Sequence, residues 1–215
     1  MTVPEPGAIF KTMQGTPFWL RRAQQLQHAA EIILVDQKVL EAQYQRAVNE
    51  AGAKAEILAE AATDGCAQVD IECQEPNFRP AEMLLGFAAE NALKGLIIAG
   101  DPNLASEDKL VASIKTHDLR ALAASSKVTM NSQEDDALLA LTYLVEWAGR
   151  YPTPPHIKWY RGKHDVHFGD EAAIAAANDH VSILALVTRL VTELERKVGP
   201  SKNQFGTVIF SIGLS

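Results

Sequence analysis

Cysteine is nearly absent: the 215-residue chain has two, Cys66 and Cys73. Their number and spacing exclude a disulfide framework and a closed zinc site, and make them free thiols of a reducing compartment. Excess positive charge is also missing. Lys plus Arg is 20 and Asp plus Glu is 27, a net charge of −7. Such a balance excludes a surface that is basic throughout, so any phosphate binding has to use a local patch. The N-terminus has no basic stretch followed by an apolar run, and Pro4, Pro6 and Pro17 would break one, so a secretory signal is not expected and the cytoplasm is the expected compartment. The most apolar stretch, Leu84 to Ala99, carries Glu90 and Lys94. It is shorter than the ~20 apolar residues of a bilayer crossing and reads as a core helix, so no membrane partner is expected. Neither an internal repeat nor a low-complexity tract is present.

What the sequence has in abundance is apolar residues, 47% of the chain, many of them at helical spacing. Thr16 and Pro17 read as N-cap and first residue of a helix in which Leu20, Ala23, Leu26, Ala30, Ile33, Leu34, Leu40, Tyr44 and Val48 recur at three- and four-residue steps. That helix is expected over 17–50, with a kink or turn at Gly52 and a second helical piece at 53–62. Gly65, Pro76 and the alternating Val69, Ile71 and Cys73 predict an inserted loop at 63–79 with a short extended piece. Pro80 opens a helix at 80–99 that buries Met83, Leu84, Phe87, Leu93 and Ile97.

Thr116 is the expected cap of a short helix through Leu119 and Leu122, and Ser132 of a helix at 132–151 that Pro152 ends. Asp170 is the expected cap of the last helix, 170–198, stopped by Gly199-Pro200. The predicted fold is all-α, an up-and-down bundle of four main helices plus one short helix. Residues 1–16 form an N-terminal extension, 17–199 the helical domain and 200–215 a C-terminal tail whose Val208-Ile209-Phe210 has strand composition.

Four stretches in order carry a family resemblance: Glu90-Asn91-Ala92-Leu93-Lys94, Thr116-His117-Asp118-Leu119, Gly149-Arg150-Tyr151-Pro152, and an alanine-rich start to the last helix. They resemble the HEPN superfamily, the higher eukaryotes and prokaryotes nucleotide-binding domain, over about 20–198. The resemblance implies a helical bundle that forms a homodimer and binds RNA or a nucleotide. It also implies a metal-independent endoribonuclease in some members, and a nucleotidyltransferase or antitoxin as partner in others. The apolar breadth of the helices at 80–99 and 170–198 adds to the expectation of a homodimer. The family's ribonuclease signature is an Arg and a His separated by four to six residues. Arg150 and His156 enclose five, with Tyr151 where a polar residue is usual and with Pro152, Pro154 and Pro155 interrupting helical geometry.

Metal-free RNA cleavage requires a group that moves the 2′-hydroxyl and leaving-group protons and a cation for the charge growing on phosphorus. His156 and Arg150 supply both as candidate catalytic residues, while a plain reading makes Arg150 a helix-end cation and His156 a surface residue. No acid lies between Glu146 and Asp165, and there Tyr151, Lys158, Trp159, Tyr160, Arg161, Lys163 and His164 offer cations and aromatic faces suited to single-stranded RNA or nucleotides. Arg161 and His167 repeat the five-residue spacing, and a solvated loop anchored by Trp159 and Tyr160 is the plain alternative.

His164 and His167, with Asp165, Asp170 and Glu171, have the chemistry of metal ligands but sit between Gly162 and Gly169, where a charged connector is the simpler reading. Neither metal nor cofactor is expected. Glu90 and Lys94, four apart on a nearly apolar helix, predict a partly buried pair. With His117 they form either a structural ion pair that binds the His117 loop or the polar lining of a nucleotide cleft.

Overall fold

The computed structural model describes residues 5–61, 68–148 and 179–199, and every regular element among them is helical. The elements are α1 (Pro6–Met13), α2 (Thr16–Ala61), α3 (Arg79–Gly100), α4 (Leu119–Ser126), α5 (Ser132–Tyr143), which continues as a π-helical turn over Leu144–Ala148, and α6 (His180–Val198). Short 3-10 turns at Pro102–Leu104 and Ala112–Ile114 lie between α3 and α4. The all-α expectation holds for these residues.

α3 is the centre of the bundle. α2, α4, α5 and α6 all pack on it, and α2 also touches α6. Leu85, Leu93, Leu119, Leu122, Leu138, Leu141, Ile183, Leu190 and Leu194 are fully buried around this axis. Each such side chain contributes ~1.5–3 kcal/mol through the apolar area it removes from water. By length and composition α3 is the one described helix able to cross a membrane, yet 67% of its most apolar stretch is buried against its neighbours. Its apolar breadth is therefore spent inside the chain, which removes α3 as a reason to expect a homodimer.

Two glycines let the neighbours close on α3. A Cβ at Gly86 would stand 2.5 Å from Val145 Cγ2, and one at Gly95 2.6 Å from Leu194 Cδ2 and 2.9 Å from Trp19 Cβ. Gly52 has no such duty: a Cβ there meets nothing, and α2 runs through it without a break for 46 residues, about 69 Å at 1.5 Å per residue. The expected turn is absent because a lone glycine costs an exposed helix only ~1 kcal/mol, too little to end it.

The other corrections concern helix ends. Residues expected as an extension contain α1, and the buried Gln14 fixes it: Gln14 Nε2 donates to Ser106 O at 2.6 Å and Trp19 Nε1 donates to Gln14 O at 2.8 Å. Thr16 is the first helical residue of α2 rather than its cap. Asp118, not Thr116, caps α4, accepting from the Ala121 amide at 3.0 Å. Asn131, not Ser132, caps α5 in a reciprocal box with Glu134. Asp179 caps α6 by accepting from the Ser182 amide at 3.0 Å, so the described part of the last helix begins at His180. Residues 68–78 contain no strand. The tail at 200–215, and the ends proposed near Arg150 and Asp170, lie outside the described residues.

Candidate functional site

The polar cluster forms where α3 meets the start of α4. Glu90 and Lys94 are one turn apart on α3, and Lys94 Nζ donates to Glu90 Oε1 at 2.6 Å. Both side chains are buried. Ions in such a place must pair, because each alone would lose several kcal/mol of hydration. The second carboxylate oxygen, Oε2, lies 2.9 Å from Nδ1 of His117, whose side chain is 52% exposed. Glu90 thus links an ammonium in the core to an imidazole at the surface.

Local hydrogen bonds hold His117 in that position. Thr116 Oγ1 accepts from the Asp118 amide at 3.1 Å, closing a tight turn around His117. The Leu119 amide, left unpaired by the start of α4, donates to the Thr142 hydroxyl on α5 at 3.0 Å. Thr142 Oγ1 in turn donates to Leu138 O at 2.8 Å. The segment carrying the imidazole is thus tied to its own helix, to α5 and to α3.

Chemically, an ionised carboxylate only accepts, so the ring nitrogen facing Glu90 carries a proton. In the neutral ring Nε2 is then the acceptor, available to take a proton or a hydrogen bond from a ligand. Carboxylate-oriented imidazole suits proton transfer and polar-group recognition alike.

A second contact between a carboxylate and an imidazole joins residues far apart in the sequence. Glu82, in the first turn of α3 and buried, lies with Oε1 2.9 Å from Nδ1 of His180, the first residue of α6. The ring stacks on Phe78 with centroids 4.1 Å apart. Nδ1 makes no aligned hydrogen bond, so the two groups are close without one. Separation in sequence hid it; the only local cue is Glu82 itself, an acid in the first turn of an apolar helix.

Of the residues proposed from sequence, Glu90, Lys94 and His117 come together as one cluster. Arg150, Tyr151, His156, Lys158, Trp159, Tyr160, Arg161, Lys163 and His164 lie outside the described residues, as do Asp165, His167, Asp170 and Glu171. Among the described residues no three His, Cys, Asp or Glu side chains gather as a metal site would require. Cys73 is a free thiol, and Cys66 is not among the described residues.

No protein-family model matches this sequence, and comparisons with curated proteins and with solved structures gave no match either.

Proposed function

We propose that this chain is a HEPN-like nucleotide- or RNA-binding protein, with Glu90, Lys94 and His117 as the polar centre of its binding surface. One observation carries the reading: a buried carboxylate presents an exposed, oriented imidazole at 2.9 Å. A purely structural pair needs only Lys94. Directing the second oxygen at a surface histidine adds a group able to meet a ligand. The ordered motifs support the same reading, since Glu90, Lys94 and His117 belong to two of the four resembling stretches. So does the basic, aromatic run from Arg150 to His164, which begins eight residues after Thr142, the residue that fixes the α4 start.

A metal-independent endoribonuclease is the second reading, favoured by the five-residue spacing of Arg150 and His156 in a stretch without acids. It requires a homodimer to make a composite site, and fits a toxin–antitoxin or defence role with an antitoxin or nucleotidyltransferase partner. Fluorescence anisotropy with labelled single-stranded RNA and with labelled ATP, in EDTA, separates the readings. Saturable binding without cleavage selects the binding protein. Cleavage lost in His156→Ala selects the nuclease, and neither binding nor cleavage rejects both.

A further inference from the structure

α2 and α6 run side by side in opposite directions, since Gln24 Nε2 donates to Glu195 Oε1 at 2.5 Å and Gln27 Nε2 to Thr188 Oγ1 at 3.0 Å. Between them lies a groove of about 730 Å³. That volume is within the ~300–1,000 Å³ of small-molecule sites. Leu34 and Val35 from α2 and Val181, Leu184 and Ala185 from α6 give it an aliphatic lining. Val35 and Val181 are each 67% exposed, so an apolar body bound there would cover surface that now faces water.

Four charged side chains besides His180 stand along this groove: Glu31, Lys38, Arg189 and Arg196. Three of them have other duties. Arg189 Nε donates to Glu134 Oε1 at 2.8 Å, and Glu31 Oε1 accepts from Gln27 Nε2 at 2.9 Å. Arg196 is in the last turn of α6, where a cation answers the terminal carbonyls. Lys38, in the middle of α2, has no hydrogen bond or ion pair among the described residues. It is an uncommitted cation beside an aliphatic groove, on a chain of net charge −7.

We infer that the groove binds a long-chain aliphatic carboxylate, a fatty acid, with its chain on Leu34, Val35, Leu184 and Ala185 and its head group at Lys38. Charge selects the head: one free ammonium balances one carboxylate, whereas a phosphate monoester brings up to two charges. Glu31 lies seven residues before Lys38, ~10 Å along the helix, and leaves the head group clear. The lysine stem covers part of the chain while its ammonium reaches the water edge. The lining selects the chain and argues against a nucleotide. Among the described lining residues the one ring is His180, already stacked on Phe78, so no aromatic face is free for a base. The hydroxyls of Thr188 and Thr192 are engaged by Gln27 and by Thr188 O. None of these residues belongs to the cluster of Glu90, Lys94 and His117, so the inference does not rest on what His117 binds.

Calorimetric titration of the full chain with dodecanoate, kept below its micelle-forming concentration, tests it. Saturable binding is expected. Butanoate, with the same head and a short chain, and dodecyltrimethylammonium, with an equal chain and the opposite charge, are each expected to bind at least tenfold more weakly. Lys38→Glu is expected to weaken dodecanoate binding at least tenfold and to remove the preference for it over the cationic amphiphile. Ala185→Trp, which fills the groove from an exposed position, is expected to weaken both amphiphiles, and circular dichroism of both variants is expected to match wild type. Absence of saturable dodecanoate binding, equal affinity for the two amphiphiles, or wild-type affinity in either variant overturns the inference. So does tighter binding of dodecyl phosphate, or displacement of dodecanoate by ATP, which would make the groove a phosphate or nucleotide site. Dodecanoate bound as expected by a chain that binds neither RNA nor ATP would remove the functional proposal and leave this one standing.

Discussion

Nδ1 of His117 lies 2.9 Å from Oε2 of Glu90, a residue 27 positions earlier whose other oxygen holds Lys94 in the core. The carboxylate therefore has two jobs that pull in different directions. Lys94 requires it for burial, and His117 requires it for orientation. Substitutions that separate the two jobs show which one the cluster exists for.

Breaking the buried half is expensive. Lys94→Met leaves the Glu90 carboxylate buried with the His117 ring as its remaining partner and is expected to lower stability by up to ~3–5 kcal/mol, whereas Glu90→Leu with Lys94→Met, which removes both charges, is expected to recover most of that loss. Urea denaturation of the two variants measures the difference. Equal destabilisation by both would mean that the pair is held by more than its own charges.

Thr142 tests the frame around the imidazole. Thr142→Val keeps the shape but removes the acceptor of the Leu119 amide, and is expected to cost ~1–2 kcal/mol with faster hydrogen exchange at Leu119. Thr142→Ser retains the hydroxyl and is expected to keep that amide protected.

The glycines of α2 and α3 should respond in opposite directions to the same change. Gly95→Ala forces a methyl against Leu194 and Trp19 and is expected to destabilise by ~1–3 kcal/mol. Gly52→Ala meets open space inside a helix and is expected to stabilise by ~0.5–1 kcal/mol. Thermal melts of both variants decide whether α2 is continuous, since a turn at Gly52 would reverse the second sign.

Periodicity and chemistry reveal different amounts in a chain such as this. Leu84, Phe87, Leu93 and Ile97 repeat at helical steps, and α3 lies within one residue of its expected span. Glu90 and Lys94 were legible for the same reason, being charges stranded on an apolar helix. Caps were harder, because Thr116, Asp118, Asn131 and Ser132 are all suitable capping residues and only the hydrogen-bond geometry chooses among them. α1 was hidden by Pro4 and Pro6, although Pro6 sits at the helix start, where its missing N–H costs nothing. The contact between Glu82 and His180 joins two helix starts far apart in sequence, and no local pattern encodes such a meeting.

Acid should act on the start of α6. Hydrogen bonds from Ser182 hold the Asp179 carboxyl below its usual value of 3.8. A depressed folded-state value means that the capping contribution is fully present above 3.8 and is lost as the pH falls through the lower, folded-state value. Asp179→Ala is therefore expected to be less stable than wild type at pH 7 and to converge with it as the pH falls from 3.8 through the lower folded-state value, while Asp179→Asn, which caps without titrating, is expected to keep its advantage over alanine there. Chemical denaturation across that range checks the convergence.

The most direct test is the affinity of the full chain for labelled single-stranded RNA and labelled ATP, compared with that of His117→Ala. The substitution removes a half-exposed ring and leaves the Glu90–Lys94 pair in place, so circular dichroism and the melting curve are expected to match wild type. If the cluster is a binding centre, wild type binds one of the two probes saturably and His117→Ala binds it at least tenfold more weakly. Wild-type affinity in the variant, or a wild type that binds neither probe, would make Glu90, Lys94 and His117 a structural ion pair and contradict the account.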